Sequence, residues 1–124
     1  MTDTLDAVPW DALGALSRVR SALITELERR GLAELQSRIP QQLSSHELRT
    51  DPFDHSQTLA GTWLGSGGQR LGSVQIHEGG RVFAEFDLLV PHPTDPRWFV
   101  EAVTAWGQPP ALKSELRLLP ALGA

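Results

Sequence analysis

Histidine and carboxylate side chains cluster once in this sequence, at His46, Glu47, Asp51, Asp54 and His55. Imidazole and carboxylate groups are the ligands that a borderline metal such as zinc accepts. Their spacing matches no metal-binding motif, and the neighbouring residues are typical of turns. We therefore predict a solvated loop here, with neither a metal nor a cofactor.

Two further histidines stand near carboxylates, His77 beside Glu78 and His92 close to Asp95. Such an imidazole can act as a general base near neutral pH. Neither pair has a nucleophile at a fixed spacing, and the glycine-rich residues 65–70 lack the Lys-Ser/Thr ending of a phosphate-binding loop. These patterns predict water-facing histidines and a hairpin turn, so we name no catalytic residue. They favour a non-enzymatic protein and leave an enzyme open as the alternative.

Composition limits the class of protein. The 124 residues have a formal net charge of -4, are 40% hydrophobic and include no cysteine, which is typical of one globular domain over residues 1–124. We expect no nucleic-acid partner, because binding phosphates requires a basic patch and the arginines here are scattered. No apolar run approaches the length of a membrane span and no secretory signal pattern is present, so we expect no membrane partner and a cytoplasmic protein.

Apolar residues at spacings of three and four predict one amphipathic helix over residues 9–30. They are Trp10, Leu13, Leu16, Val19, Leu23, Ile24 and Leu27. Pro9 suits the first helical position, and Gly31 suits the residue after the last turn. The stripe then changes phase, which indicates a kink or a short second helix before Pro40. Arg20 lies within the apolar arc, where its charge requires a partner or a path to solvent.

The pattern divides the chain into a helical part (residues 9–39), a polar linker (40–57) and a β-β-β-α-β part (58–119). In the linker, Ser44 and Glu47 match a capping box, which predicts one helical turn.

A three-stranded antiparallel meander is predicted between residues 59 and 90, with turns at residues 66–68 and 78–80. A three-residue second turn pairs His77 with Arg81 and gathers the apolar residues of that hairpin on one face. That face consists of Gly72, Val74, Ile76, Val82, Ala84, Phe86 and Leu88. The opposite face mixes polar and apolar side chains, a composition that suits either water or an interface.

Two elements complete the predicted fold. Asp95 as N-cap and Pro96 as first helical residue predict a helix that ends at Gly107. Its apolar face consists of Phe99, Ala102, Val103 and Trp106. Residues 112–119 alternate, which favours a final strand, although their leucines serve a helix equally well. The predicted fold class is α+β, with one antiparallel sheet packed against helices.

The order of helix, three strands and helix is similar to that of double-stranded RNA-binding domains and of acidic dimeric secretion chaperones. The first resemblance implies a basic final helix, but residues 95–107 have Arg97 against Asp95 and Glu101. The second matches in size and acidity and implies an acidic chaperone dimer. It stands as a third hypothesis behind two that follow from the residues.

Those two hypotheses share one set of candidate interface or pocket residues. They are Arg20, Leu71, His77, Arg81, Phe83, Glu85, Asp87, Leu89 and Trp98. In the first hypothesis the chain is a non-enzymatic protein-interaction or small binding domain, a homodimer formed through the N-terminal helix or the mixed sheet face. A further, unidentified protein partner fits this hypothesis. In the second, the chain binds a small ligand or is an enzyme, with a pocket between sheet and helices lined by His77, Arg81, Glu85 and Asp87.

Overall fold

The described residues fold into an α-helix and a short 3-10 helix, followed by six strands. The computed structural model describes Val8 and residues 10–121, so the predicted role of Pro9 lies outside the described residues. The elements are α1 (Ala12–Arg29), a short 3-10 helix (Ala33–Arg38), β1 (Ser45–Thr50), β2 (Gln57–Leu64), β3 (Arg70–His77), β4 (Val82–Pro91), β5 (Trp98–Gln108) and β6 (Ala111–Pro120). Each strand pairs antiparallel with the next along the chain, so β1 and β6 are the two edges of a single sheet.

The predicted N-terminal helix is confirmed as α1. The carboxylate of Asp11 caps it by accepting a hydrogen bond from the backbone N–H of Gly14 at 2.9 Å. Gly31 has a φ of 76°, a left-handed conformation that glycine adopts without strain after a helix. The short 3-10 helix follows, as the change of phase indicated. Most of the apolar stripe is buried, but Leu13 is 54% exposed.

The core lies between α1 and one face of the sheet. The Trp63 and Phe86 rings fill its centre, with centroids 5.7 Å apart in an edge-to-face arrangement. The apolar face predicted for the second hairpin is confirmed as part of this core, in which Val74, Ile76 and Ala84 are fully buried. Within the described residues no helix packs on the opposite face of the sheet, which we call the open face.

The predicted three-stranded meander followed by a helix is wrong, because the sheet has six strands and residues 98–108 form β5. A β-bulge explains the misleading spacing. The register of β5 against β6 shifts between Val100 and Ala102, so the buried side moves from Val100 to Val103 and imitates a helical spacing of three. Asp95 caps a turn and not a helix, since its carboxylate accepts from the N–H of Arg97 at 3.1 Å.

The polar linker also contains structure that the sequence did not predict. Residues 45–50 form β1, so the helical turn expected from Ser44 and Glu47 is wrong. The Ser44 hydroxyl instead accepts a hydrogen bond from the N–H of Leu64 at 2.9 Å. Leu48 faces Leu59 in the register of β1 and β2, which gives this short strand an apolar contact on the α1 side of the sheet.

Two finer predictions are confirmed. The second hairpin has the predicted three-residue turn, with Ile76 opposite Val82 and Val74 opposite Ala84. Residues 112–119 lie in β6 and are a strand, not a helix. Without a helix at residues 95–107, the resemblance in element order to RNA-binding domains and secretion chaperones has no structural basis. No helix in the described part of the chain is long and apolar enough to cross a membrane.

Candidate functional site

The open face brings together residues from all six strands. In register, one row crosses the whole sheet through Glu47, Ala60, Gln75, Phe83, Trp106 and Lys113. A second row passes through Ser45, Thr62, Ser73, Glu85, Thr104 and Glu115. Because side chains alternate along a strand, every member of these rows projects away from α1.

Ion pairs connect the charged residues of the open face. Arg117 contacts Glu85 at 2.6 Å and Glu101 at 3.5 Å, and Arg70 lies 3.9 Å from Glu85. The bulge of β5 directs Glu101 toward Arg117. The carboxylates of Glu85 and Glu101 are therefore held by arginines of the same chain, which stabilises the face electrostatically.

Asp87 lies at the margin of this network. Burial raises the pKa of the Asp87 carboxyl above its ordinary value, and the negative charge of Glu85 raises it further. Arg70 and Arg117 oppose the increase. The surroundings of Asp87 on the open face thus disfavour the ionised form of its carboxyl.

Thr104 lies between Glu85 and Glu115 in the second row. Its side chain is buried, and its hydroxyl has no hydrogen-bond partner among the described residues. The charged neighbours cover Thr104 without bonding to it.

Apolar side chains are also exposed on this side of the molecule. Phe83 is 44% exposed and lies opposite the half-buried Trp106, and Phe99 lies opposite Leu119, which is 38% exposed. Isolated exposed apolar residues are ordinary, whereas a contiguous apolar patch marks a surface suited to contact. The pairs Glu85–Thr104 and Asp87–Ala102 lie between the two apolar pairs, so the open face has two separate apolar groups. These residues come from β4, β5 and β6.

Four of the predicted site residues meet on the open face. They are His77, Phe83, Glu85 and Asp87. Leu71 lies at the bulge of β3 and packs against the core. Arg81 pairs with His77 through the backbone and is exposed at the end of the same face. The space between sheet and helix contains Trp63, Phe86 and the other core side chains, and Glu85 and Asp87 project away from it. His77 borders a groove at the start of α1.

The other three predicted site residues lie elsewhere. The guanidinium of Arg20 donates hydrogen bonds to the carbonyls of Ile39 and Pro40, which is a structural contact. Leu89 is exposed where the register of β4 shifts, with a φ of 47°. Trp98 begins β5, not a helix, and alternation places it on the α1 side together with the buried Val100.

Sequence reasoning missed the contribution of β5 and β6 to the open face. The sequence pattern predicts a helix for Glu101, Thr104 and Trp106, whereas these residues lie in β5. Trp106 pairs with Lys113 of β6, and Thr104 pairs with Glu115. The β-branched and aromatic residues of 98–106 were the signal that favoured a strand.

The histidines take part in local turns. The Nδ1 atom of His77 accepts from the N–H of Gly79 at 2.9 Å, and that of His92 accepts from the N–H of Asp95 at 3.1 Å. A groove of about 200 Å³ lies beside His77, between the start of α1 and the turn after β3. This volume is below the range of about 300–1,000 Å³ that is usual for ligand pockets.

The histidine and carboxylate cluster of the linker is split between β1 and a turn. Asp51 accepts hydrogen bonds from the N–H groups of Phe53 and Asp54, and Asp54 accepts from that of Ser56. Hydrogen bonding to Ser56 lowers the pKa of the Asp54 carboxyl. Within the described residues, no three His, Asp or Glu side chains are placed to hold a metal ion.

Comparison with protein-family models, with curated proteins and with solved structures finds no match for this chain.

Proposed function

We propose that this chain is a non-enzymatic protein-interaction domain that acts as a homodimer, and that the second copy contacts the sheet along β6. The observation that carries the proposal is the exposed apolar group at the β6 side of the sheet, formed by Leu118 and Leu119 of β6 and by Phe99, which lies opposite Leu119. Burying such a group against a second copy removes apolar surface from water, which favours association.

The arrangement of charges supports an interaction surface over an active site. Glu85, Glu101 and Arg117 are paired with one another, and no nucleophile lies among them. Paired charges at the margin of an apolar contact give specificity without placing an isolated charge in the interface.

The N-terminal helix is the less suitable contact surface. Leu16, Leu23 and Leu27 are buried against the chain's own sheet. Among the leucines of the predicted stripe, only Leu13 is strongly exposed, and a single leucine offers little area for a stable interface.

Light scattering of the wild-type protein tests the proposal. We expect a mass of twice the 13.6 kDa of the chain, unchanged by a mild chelator. A mass of one chain at concentrations up to 100 µM would overturn the homodimer, and a chelator-dependent mass would assign the association to a metal and not to the apolar group.

A further inference from the structure

We propose that the two copies meet edge to edge, with their β6 strands paired antiparallel about a two-fold axis at Ser114, so that both sheets join into one. This inference rests on the homodimer proposed above and specifies its geometry. The two open faces would then lie side by side as one continuous surface.

The first support is the direction of the backbone groups of β6. The N–H of Ala121 donates to the carbonyl of Arg97 at 2.8 Å, and Leu119 faces Phe99 two residues further along each strand. Along an antiparallel ladder, every second residue of a strand forms backbone hydrogen bonds to the neighbouring strand. The extra residue of the bulge lies in β5, so the alternation along β6 is not interrupted. The odd-numbered residues of β6 therefore bond to β5.

The even-numbered residues of β6 must then direct their N–H and C=O groups at the outer edge. Leu112, Ser114 and Leu116 present these groups in a row, and among the described residues no strand pairs with that edge. An unpaired row of this kind is a template for another strand. The ten residues of β6 include no proline before Pro120, so nothing interrupts the row.

The two edges of the sheet differ in their charges. At the β1 edge, which is only six residues long, Arg49 contacts Glu47 of the same strand at 2.6 Å. Short, charged edges discourage pairing. On β6, Lys113 and Glu115 have no ion-pair partner among the described residues. The charges of β6 are thus available to a second copy.

These two charges select the register. With the two-fold axis at Ser114, Lys113 of each copy lies opposite Glu115 of the other, and Leu112 lies opposite Leu116. These charged pairs occupy non-hydrogen-bonded positions, where side chains approach most closely. An axis at Glu115 would place Lys113 opposite Arg117, which has the same charge. An axis at Leu116 would place Lys113 opposite Leu119 and Glu115 opposite Arg117, but Arg117 is already paired with Glu85 and Glu101 of its own chain.

The same register covers exposed apolar surface. Leu118 and Leu119 would lie opposite the turn formed by Pro109 and Pro110 of the other copy. Both leucines are exposed in the single chain, and proline rings offer an apolar contact without a backbone N–H to satisfy.

A charge-swap experiment with the full chain tests this geometry. In Lys113→Glu both β6 charges are negative, and in Glu115→Lys both are positive. We expect each variant alone to dimerise at least about tenfold more weakly than wild type, because two attractive cross-strand pairs become repulsive. An equimolar mixture should form a mixed dimer of wild-type affinity, since every pair is again of opposite charge. Arg49→Glu on β1 is the matched control and should leave the affinity unchanged.

A spin-label distance fixes the register. The chain has no cysteine, so Ala111→Cys provides one labelling site per copy, at an exposed position. With the axis at Ser114 the two labels are separated by six residues of strand, about 20 Å, whereas an axis at Leu116 places them about 34 Å apart. If neither charge swap changes the dimerisation affinity, edge pairing through β6 is overturned, while the homodimer proposal stands. A monomeric wild type would overturn both proposals.

Discussion

The guanidinium of Arg20 binds the backbone carbonyl of Ile39 through two nitrogens, Nε at 3.2 Å and Nη2 at 2.6 Å. Nε also donates to the carbonyl of Pro40 at 3.0 Å. Arg20, which lies within the apolar arc of α1, thus holds the chain in place at the end of the short 3-10 helix. Arginine suits this place because its planar fork reaches neighbouring acceptors together.

We expect Arg20→Met to lower the free energy of unfolding by about 1–3 kcal/mol, because carbonyls that Arg20 satisfies lose their donor. Urea unfolding followed by tryptophan fluorescence measures the change. Arg18→Met is the control on the same helix, since Arg18 is exposed and only approaches Asp11 at 3.7 Å. Equal losses in the two variants would show that the carbonyl contacts contribute nothing particular.

Glu26 is the charged residue most deeply placed in α1, with 1% of its surface exposed. Its carboxylate accepts from the Ser114 hydroxyl at 2.8 Å and contacts Arg29 at 3.2 Å and Arg30 at 3.0 Å. The helix is thereby attached to β6 by a polar contact at the margin of the core.

We expect Glu26→Ala to lower the free energy of unfolding by about 2 kcal/mol or more, because the Ser114 hydroxyl and two arginines lose their acceptor. Glu28→Ala, at an exposed position of the same turn, should change stability by less than about 0.5 kcal/mol. Chemical denaturation compares the two, and a loss in Glu28→Ala as large as that in Glu26→Ala would contradict this role.

The open face could be predicted from the sequence in its β3–β4 half but not in its β5–β6 half. Alternation in the second hairpin admits one register, because a slip by one residue exchanges Val74 and Ile76 with Ser73 and Gln75. Residues 98–107 carry no such uniform alternation, because the bulge at Glu101 changes the phase of β5. A sequence pattern does not distinguish that change of phase from a helical repeat. The pattern therefore does not predict that Trp106 lies beside Lys113 or that Thr104 lies beside Glu115.

Asp87 provides a test by pH. Its folded pKa lies above the ordinary value of 3.8, so the folded state binds the proton more tightly than the unfolded state. The ionised carboxylate therefore opposes folding at pH 7, and this penalty disappears as the pH falls below the ordinary value. We expect Asp87→Asn to raise the free energy of unfolding at pH 7 by less than about 1 kcal/mol, since the side chain is partly solvated.

Thermal unfolding of wild type and Asp87→Asn at pH 7 and pH 3 measures this effect. The stability difference should be present at pH 7 and absent at pH 3. A difference that persists unchanged at pH 3 would assign it to packing and not to ionisation.

The pKa of Asp95 is shifted in the opposite direction from that of Asp87. Hydrogen bonds from the Arg97 side chain and backbone lower the pKa of the Asp95 carboxyl to about 2. Arg97→Ala removes the side-chain bonds but keeps the backbone N–H bond, so we expect the pKa to rise part of the way toward the ordinary 3.8. Carbon-detected NMR titration of the carboxyl follows it directly. Arg117→Ala should leave the Asp95 titration unchanged, and an unshifted Asp95 in Arg97→Ala would disprove the assigned cause.

Association through β6 is tested most directly by amide hydrogen exchange measured by NMR over a range of protein concentrations. The N–H groups of Leu112, Ser114 and Leu116 face the outer edge, and dimerisation through β6 pairs them with a second strand. We expect their exchange to slow as concentration rises, while the edge amides of His46 and Leu48 on β1 exchange at a constant rate. Rates at Leu112, Ser114 and Leu116 that stay the same at every concentration would contradict association through β6.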